Sequence, residues 1–237
     1  INDMRTTVWN QEIGDHTAQL LFGTKSYLVD FNRKREEWFV WKSGIRAPCY
    51  CNCRHLNRSY LAYEACTAYI ETIIRLKFPE TQIVVGLASA GVSWAARIAT
   101  RLTLPMSFVR GVPKGYGVGQ LVEGNPERGL KAVIIDDLCG SGDTILKAIE
   151  ALEWEFHIKT LGFITITNWC FESMWQKFDP LNLGGIYSLT SYPNILKVGV
   201  AMGQLTQEQA DMFQEFYKAP RAYDWPLLPK SSEEGEK

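Results

Sequence analysis

Residues 133–144 read VIIDDLCGSGDT, an apolar β-forming run that meets two adjacent carboxylates and then a stretch of small polar residues. Carboxylates accept hydrogen bonds from vicinal hydroxyls, so Asp136 and Asp137 can hold a polyol. Glycines let backbone N–H groups approach a ligand, and a helix N-terminus favours an anion. Gly140, Ser141, Gly142, Asp143 and Thr144 can therefore cradle a phosphate. The pattern suits a ribose whose 5′-phosphate sits in the loop. An N-capping Asp at a tight strand-to-helix turn is the alternative reading of the same letters. No G-x-x-x-x-G-K-[ST] run occurs in the chain, which argues against a nucleoside-triphosphate P-loop.

In a parallel α/β sheet, ligands bind outside the carboxyl ends of the strands, so these residues need a strand before them and a helix after. KAVIID (131–136) predicts that strand and DTILKAIEALEWEF (143–156) that helix. A second unit of the same kind runs from QIVVG through the small residues LASAG into GVSWAARIATRL. Helical spacing also marks residues 9–22 and 59–78, the latter with Ser59 as N-cap, and short strands are expected at 27–31, in EWFVWKSG, LPMSFVR, TLGFITITNW and GGIYSLTS. LTQEQADMFQEFYKAP carries a capping box, Thr206 with Gln209, and a Pro stop. Strands alternating with helices imply a mostly parallel sheet covered on both faces. Residues 111–129 hold six glycines and two prolines without periodicity, which predicts a long functional loop such as an active-site flap.

The 237 residues suffice for one domain, expected over 1–229, with a polar tail at 230–237 expected to be disordered. With 25 Lys+Arg against 26 Asp+Glu, the net charge of -1 offers no global field for nucleic acid. No run approaches the ~18 apolar residues of a membrane span, and no signal-peptide pattern opens the chain, so a cytoplasmic protein is expected. Of the six cysteines, Cys49, Cys51 and Cys53 alternate; a strand would set all three on one face, and a lining of small apolar side chains is expected there rather than a metal site, despite nearby His55.

VIIDDLCGSGDT resembles the phosphoribosyl-pyrophosphate (PRPP) binding motif of the type I phosphoribosyltransferases. WFVWKSGIRAPCYCN, VVGLASAGVSWAARIATRLTLPMSFVR, LVEG and SLTSYPNIL extend the resemblance along nearly the whole chain, and make it similar to the orotate phosphoribosyltransferases. The resemblance implies an α/β type I phosphoribosyltransferase fold, with a mostly parallel central sheet flanked by helices, a small hood and a flexible flap at about 110–129. It implies a homodimeric enzyme of pyrimidine biosynthesis that transfers phosphoribose from PRPP to a nitrogenous base, orotate by default, with release of pyrophosphate. Mg²⁺ is the implied cofactor, carried by PRPP and by Asp136 or Asp137. Asp136, Asp137 and residues Gly140 to Thr144 correspond to the ribose 5-phosphate contacts, and Ser89, Ala90 and Gly91 to the pyrophosphate loop. Arg110 and Lys114 fall on flap positions that stabilise the leaving group, with Asp137 in the catalytic set, and Lys42, Tyr50, Cys51 and Trp169 stand by the base.

The sequence also departs from the family pattern. Gly111 and Tyr116 replace a flap lysine and histidine, Ala90 replaces the lysine of the pyrophosphate loop, and Cys139 and Gly140 are unusual within the motif. Asn168 and Trp169 stand near an Asp-Arg pair whose arginine meets orotate. A Trp gives no charge-assisted bond to a carboxylate; it either stacks on a larger or neutral ring or packs at the strand's end. Two other readings are therefore carried forward: a PRPP- or nucleotide-binding regulator or assembly component with weak or no transferase activity, and a diverged effector enzyme acting on another base or nucleotide.

Overall fold

The computed structural model describes residues 6–41, 44–112, 120–218 and 220. The expected tail at 230–237 and the site candidates Lys42 and Lys114 lie outside these residues, as does Tyr116.

Six strands form the central sheet, in the order β10 (Gly185–Ser191), β9 (Lys159–Asn168), β8 (Lys131–Cys139), β5 (Ile83–Leu87), β6 (Met106–Val109) and β7 (Val122–Glu123). All neighbours pair parallel except β6 with β7. Every residue of β5 is buried, as a strand with helices on both faces requires. Alternation then divides the core. Val84, Ile135 and Ile164 pack into one cluster with α2 (Tyr60–Lys77), α3 (Ala90–Leu102) and α6 (Tyr192–Ala201). Val85, Ile134 and Phe163 pack into the other with α4 (Asp143–Phe156) and α5 (Glu172–Phe178). Two antiparallel ribbons, β1 (Tyr27–Val29) with β4 (Cys49–Cys51) and β2 (Phe39–Val40) with β3 (Arg46–Ala47), form a hood beside the first cluster.

The expected caps form. The Ser59 side chain accepts from the Ala62 N–H at the start of α2. At α7 (Gln207–Lys218) the Thr206 and Gln209 side chains accept reciprocally from each other's N–H, at 3.0 and 3.1 Å. Three expectations need correction. β8 does not stop at the acidic pair: it continues to Cys139, because the ten-residue β9 still offers partners, Asp136 opposite Thr165 and Leu138 opposite Thr167. The cysteine strand ends at Cys51. Cys53 begins a 3₁₀ turn through Arg58, tied down where His55 Nδ1 donates to the Lys25 carbonyl at 2.8 Å. Finally, residues 111–129 are not wholly irregular. β7 pairs back on β6, and the Glu155 carboxylate of α4 accepts from the Leu121 and Val122 N–H groups at 2.9 and 3.1 Å.

Candidate active site

The carboxyl ends of β5, β8 and β9 open into a cleft of about 1490 Å³. Ser89, Ala90, Arg110, Asp136, Asp137 and residues 140–144 line it, together with Tyr50, Cys51 and Trp169. Segments far apart in the chain thus converge at one mouth, as the position of ligands in α/β sheets predicts.

Two turns feed helices here without side-chain caps. Ser89 precedes α3 and Gly142 precedes α4, and neither helix has a side chain closing its first N–H groups. Each start therefore presents donors and the positive end of a helix dipole to the cleft. Gly91, though expected in the pyrophosphate loop, is buried beneath it. A Cβ there would stand 2.4 Å from the Ile135 carbonyl oxygen, so this glycine lets α3 close on β8. Gly142 has φ +81°, and a Cβ would meet the Phe178 ring at 2.5 Å. The turn at Gly142 thus rests on α5.

Between the two turns stands the acidic pair. Asp136 Oδ1 accepts from the Asp137 N–H at 2.9 Å. Burial pushes the Asp137 carboxyl above its ordinary value, and the Arg54 guanidinium pulls in the opposite direction. Arg54 lines the same cleft, and sequence reasoning missed it because its partner lies far along the chain. Arg110, directly after β6, reaches Glu123 of β7 at 3.5 Å.

The wall on the hood side is aromatic. Trp41, Tyr50, Trp169, Phe171 and Tyr217 all border the cleft. Tyr50 stacks on Phe39 with ring centroids 5.7 Å apart. Trp169 is only 6 % exposed and packs on Trp41 and Tyr192, with centroids at 4.6 and 4.3 Å. It offers the cleft a rim while its ring belongs to the core. Asn168, before it, shapes the turn: its Oδ1 accepts from the Cys170 N–H at 2.7 Å, and its amide reaches Met174 Sδ at 3.3 Å. Cys51 and Cys53 Sγ lie 3.6 Å apart, with only Cys51 at the cleft. Among the described residues, no group of three or more His, Cys, Asp or Glu side chains is arranged to hold a metal ion, and no helix is long and apolar enough to cross a membrane.

Comparison with known proteins decides what this arrangement belongs to. Residues 55–167 match the model of the phosphoribosyl transferase domain. The orotate phosphoribosyltransferase of Bacillus cereus (strain G9842) is 34% identical over 191 residues, covering 79% of this chain and 88% of the relative. The chain belongs to the type I phosphoribosyltransferases. The orotate phosphoribosyltransferase structure from Aeropyrum pernix superposes with a TM-score of 0.66 at 25% identity, over 79% of this chain and 98% of that one. For Leishmania donovani UMP synthase the TM-score is 0.69 at 19% identity, over 86% of this chain and 42% of that one, a likeness of fold alone. The mostly parallel six-stranded sheet flanked by helices is thus the type I phosphoribosyltransferase fold, and the protein is a pentosyltransferase, similar to orotate phosphoribosyltransferases.

Proposed function

We propose that this phosphoribosyltransferase transfers phosphoribose from PRPP to a nitrogenous base, orotate being the first candidate, and releases pyrophosphate. One observation carries the reading: an acidic pair near the carboxyl end of β8 stands between two uncapped helix starts in a single cleft with an aromatic wall. Residues 140–144 would take the 5′-phosphate, Asp136 and Asp137 the ribose hydroxyls, and the Ser89–Ala90 turn the pyrophosphate. Displacement at C1′ builds charge on the leaving pyrophosphate, which Arg110, a residue lining the cleft, would meet, with Lys114 assigned by resemblance alone. No residue need act as a covalent nucleophile, because positioning and charge neutralisation supply the rate.

Mg²⁺ suits this donor set. It is a hard cation held by one or two carboxylates plus substrate phosphates, and Asp136 and Asp137 both line the cleft that the Ser89–Ala90 turn lines. Asp136 or Asp137 would hold it beside the pyrophosphate, where it would neutralise the leaving group. A cytoplasmic homodimer serving pyrimidine biosynthesis is proposed from the resemblance.

A base other than orotate is the second reading, favoured by the aromatic side chains where the family sets a cation. Pyrophosphate release from PRPP and Mg²⁺ against a panel of bases tests both, with Asp137→Asn as the blank. Release with orotate supports the first reading. Release only with another base moves the specificity to the aromatic wall, whereas silence across the panel, or full turnover by the blank, removes the transferase reading.

A further inference from the structure

α5 is the seat of the phosphate loop. Phe178 lies under Gly142, and Met174, fully buried, packs beside it. Next to Phe178 and about one turn beyond Met174, Lys177 reaches the loop itself. Its Nζ donates to the Ser141 carbonyl at 2.8 Å and pairs with Asp143 Oδ1 at 2.6 Å, while Ser141 Oγ donates to Asp143 Oδ2 at 2.6 Å. Lys177 and then Ser141 hold the Asp143 carboxyl below its ordinary value.

This arrangement answers a difficulty in the loop. A carboxylate at the first position of α4 suits the helix dipole, yet it stands among the groups that would receive a dianionic phosphate, and like charges this close repel. A cation held against that carboxylate from a different element removes the repulsion and fixes the loop's backbone. We propose that Lys177 is a positioning residue of the phosphate loop, neutralising Asp143 and anchoring the Ser141 carbonyl so that residues 140–144 accept a phosphate monoester. The inference rests on the reading of that loop as the 5′-phosphate cradle. The pyrophosphate turn at Ser89 is separate from it, and Lys177 does not line the cleft.

The test is calorimetric binding of ribose 5-phosphate and, separately, of Mg²⁺-pyrophosphate to the full chain and its variants. Lys177→Met is expected to weaken ribose 5-phosphate roughly fivefold or more while leaving pyrophosphate unchanged, a size fitting the loss of a half-exposed ion pair and its hydrogen bond. Lys177→Arg is expected to recover most of the affinity. Adding Asp143→Asn to Lys177→Met is expected to recover part of it, since the charge that needed neutralising is gone. Thermal unfolding of each variant guards against misfolding. Equal losses for both ligands, no loss for ribose 5-phosphate, or no recovery on removing the Asp143 charge overturns the role of Lys177. A wild-type chain that binds pyrophosphate but not ribose 5-phosphate instead overturns the loop reading on which the inference stands.

Discussion

Trp41 of the hood and Trp169 at the end of β9 meet with ring centroids 4.6 Å apart and planes inclined by 38°. The contact joins the hood to the sheet just beside the cleft, so the same pair shapes the aromatic wall and ties two parts of the fold together. Trp169→Ala is expected to cost about 3–5 kcal/mol of stability, the range for emptying a buried aromatic site. Denaturant unfolding checks this. An unchanged midpoint accompanied by a raised KM for the base would show instead that the ring serves the ligand rather than the core.

Asp137 sets an expectation for pH. Burial raises its carboxyl above the ordinary aspartate value, so the charged form needed to accept the ribose hydroxyls disappears at a higher pH than for an exposed aspartate. Arg54 favours the charged form, and Arg54→Gln is therefore expected to move the acid limb of kcat/KM to still higher pH. The sign for stability is opposite. A carboxyl whose folded pKa is raised costs the fold stability as pH rises through that pKa, so Asp137→Asn is expected to stabilise the protein at neutral pH while abolishing transfer. A pH series of activity and unfolding separates the two effects.

Gly142 admits no side chain. Its φ of +81° and the Phe178 ring 2.5 Å from a built Cβ oppose alanine on both counts. Gly142→Ala is expected to destabilise by about 1–3 kcal/mol, and Phe178→Leu in the same chain to recover part of that by making room. Thermal unfolding of the single and double variants provides the check.

Thiol labelling gives a further test of the cleft. Cys49, Cys53, Cys66, Cys139 and Cys170 are buried; burial raises the thiols of Cys49, Cys139, Cys170 and Cys66, the last to about 12, and the contact with Cys51 together with burial raises that of Cys53. Cys51 is half-buried and lines the cleft. Near neutral pH one fast-reacting thiol is expected, at Cys51, and a bound nucleotide is expected to protect it. Peptide mapping after brief alkylation decides the matter; rapid modification of Cys139 would mean that the end of β8 opens.

The strand-to-helix units around Asp136 and Ser89 were legible because their signals are local: an apolar run, small residues, then helical spacing. The same locality explains what was misread. Where β8 stops depends on how far β9 runs beside it, and nothing within VIIDDLC reports that. α5 spans seven residues, too few to display a period, so neither the helix nor Lys177 stood out from FESMWQKF. Arg54 and Glu155 matter through partners remote in sequence, Asp137 and the β7 backbone. Trp169 was legible as an oddity, but whether it faced ligand or core was fixed by Trp41 and Tyr192.

Both margins of the sheet are blunted. At one, β7 contributes only two residues; at the other, the chain before α1 (Gln11–Gly23) lies along β10, with the Ser188 N–H donating to the Thr7 carbonyl at 2.8 Å and a bridge from Val8 to Ser188. A long row of unpaired amides would invite a further strand from another chain, and among the described residues both margins shorten that row. A strand from another copy therefore finds only a shortened template at these two margins of the described sheet, which disfavours ribbon-like stacking there.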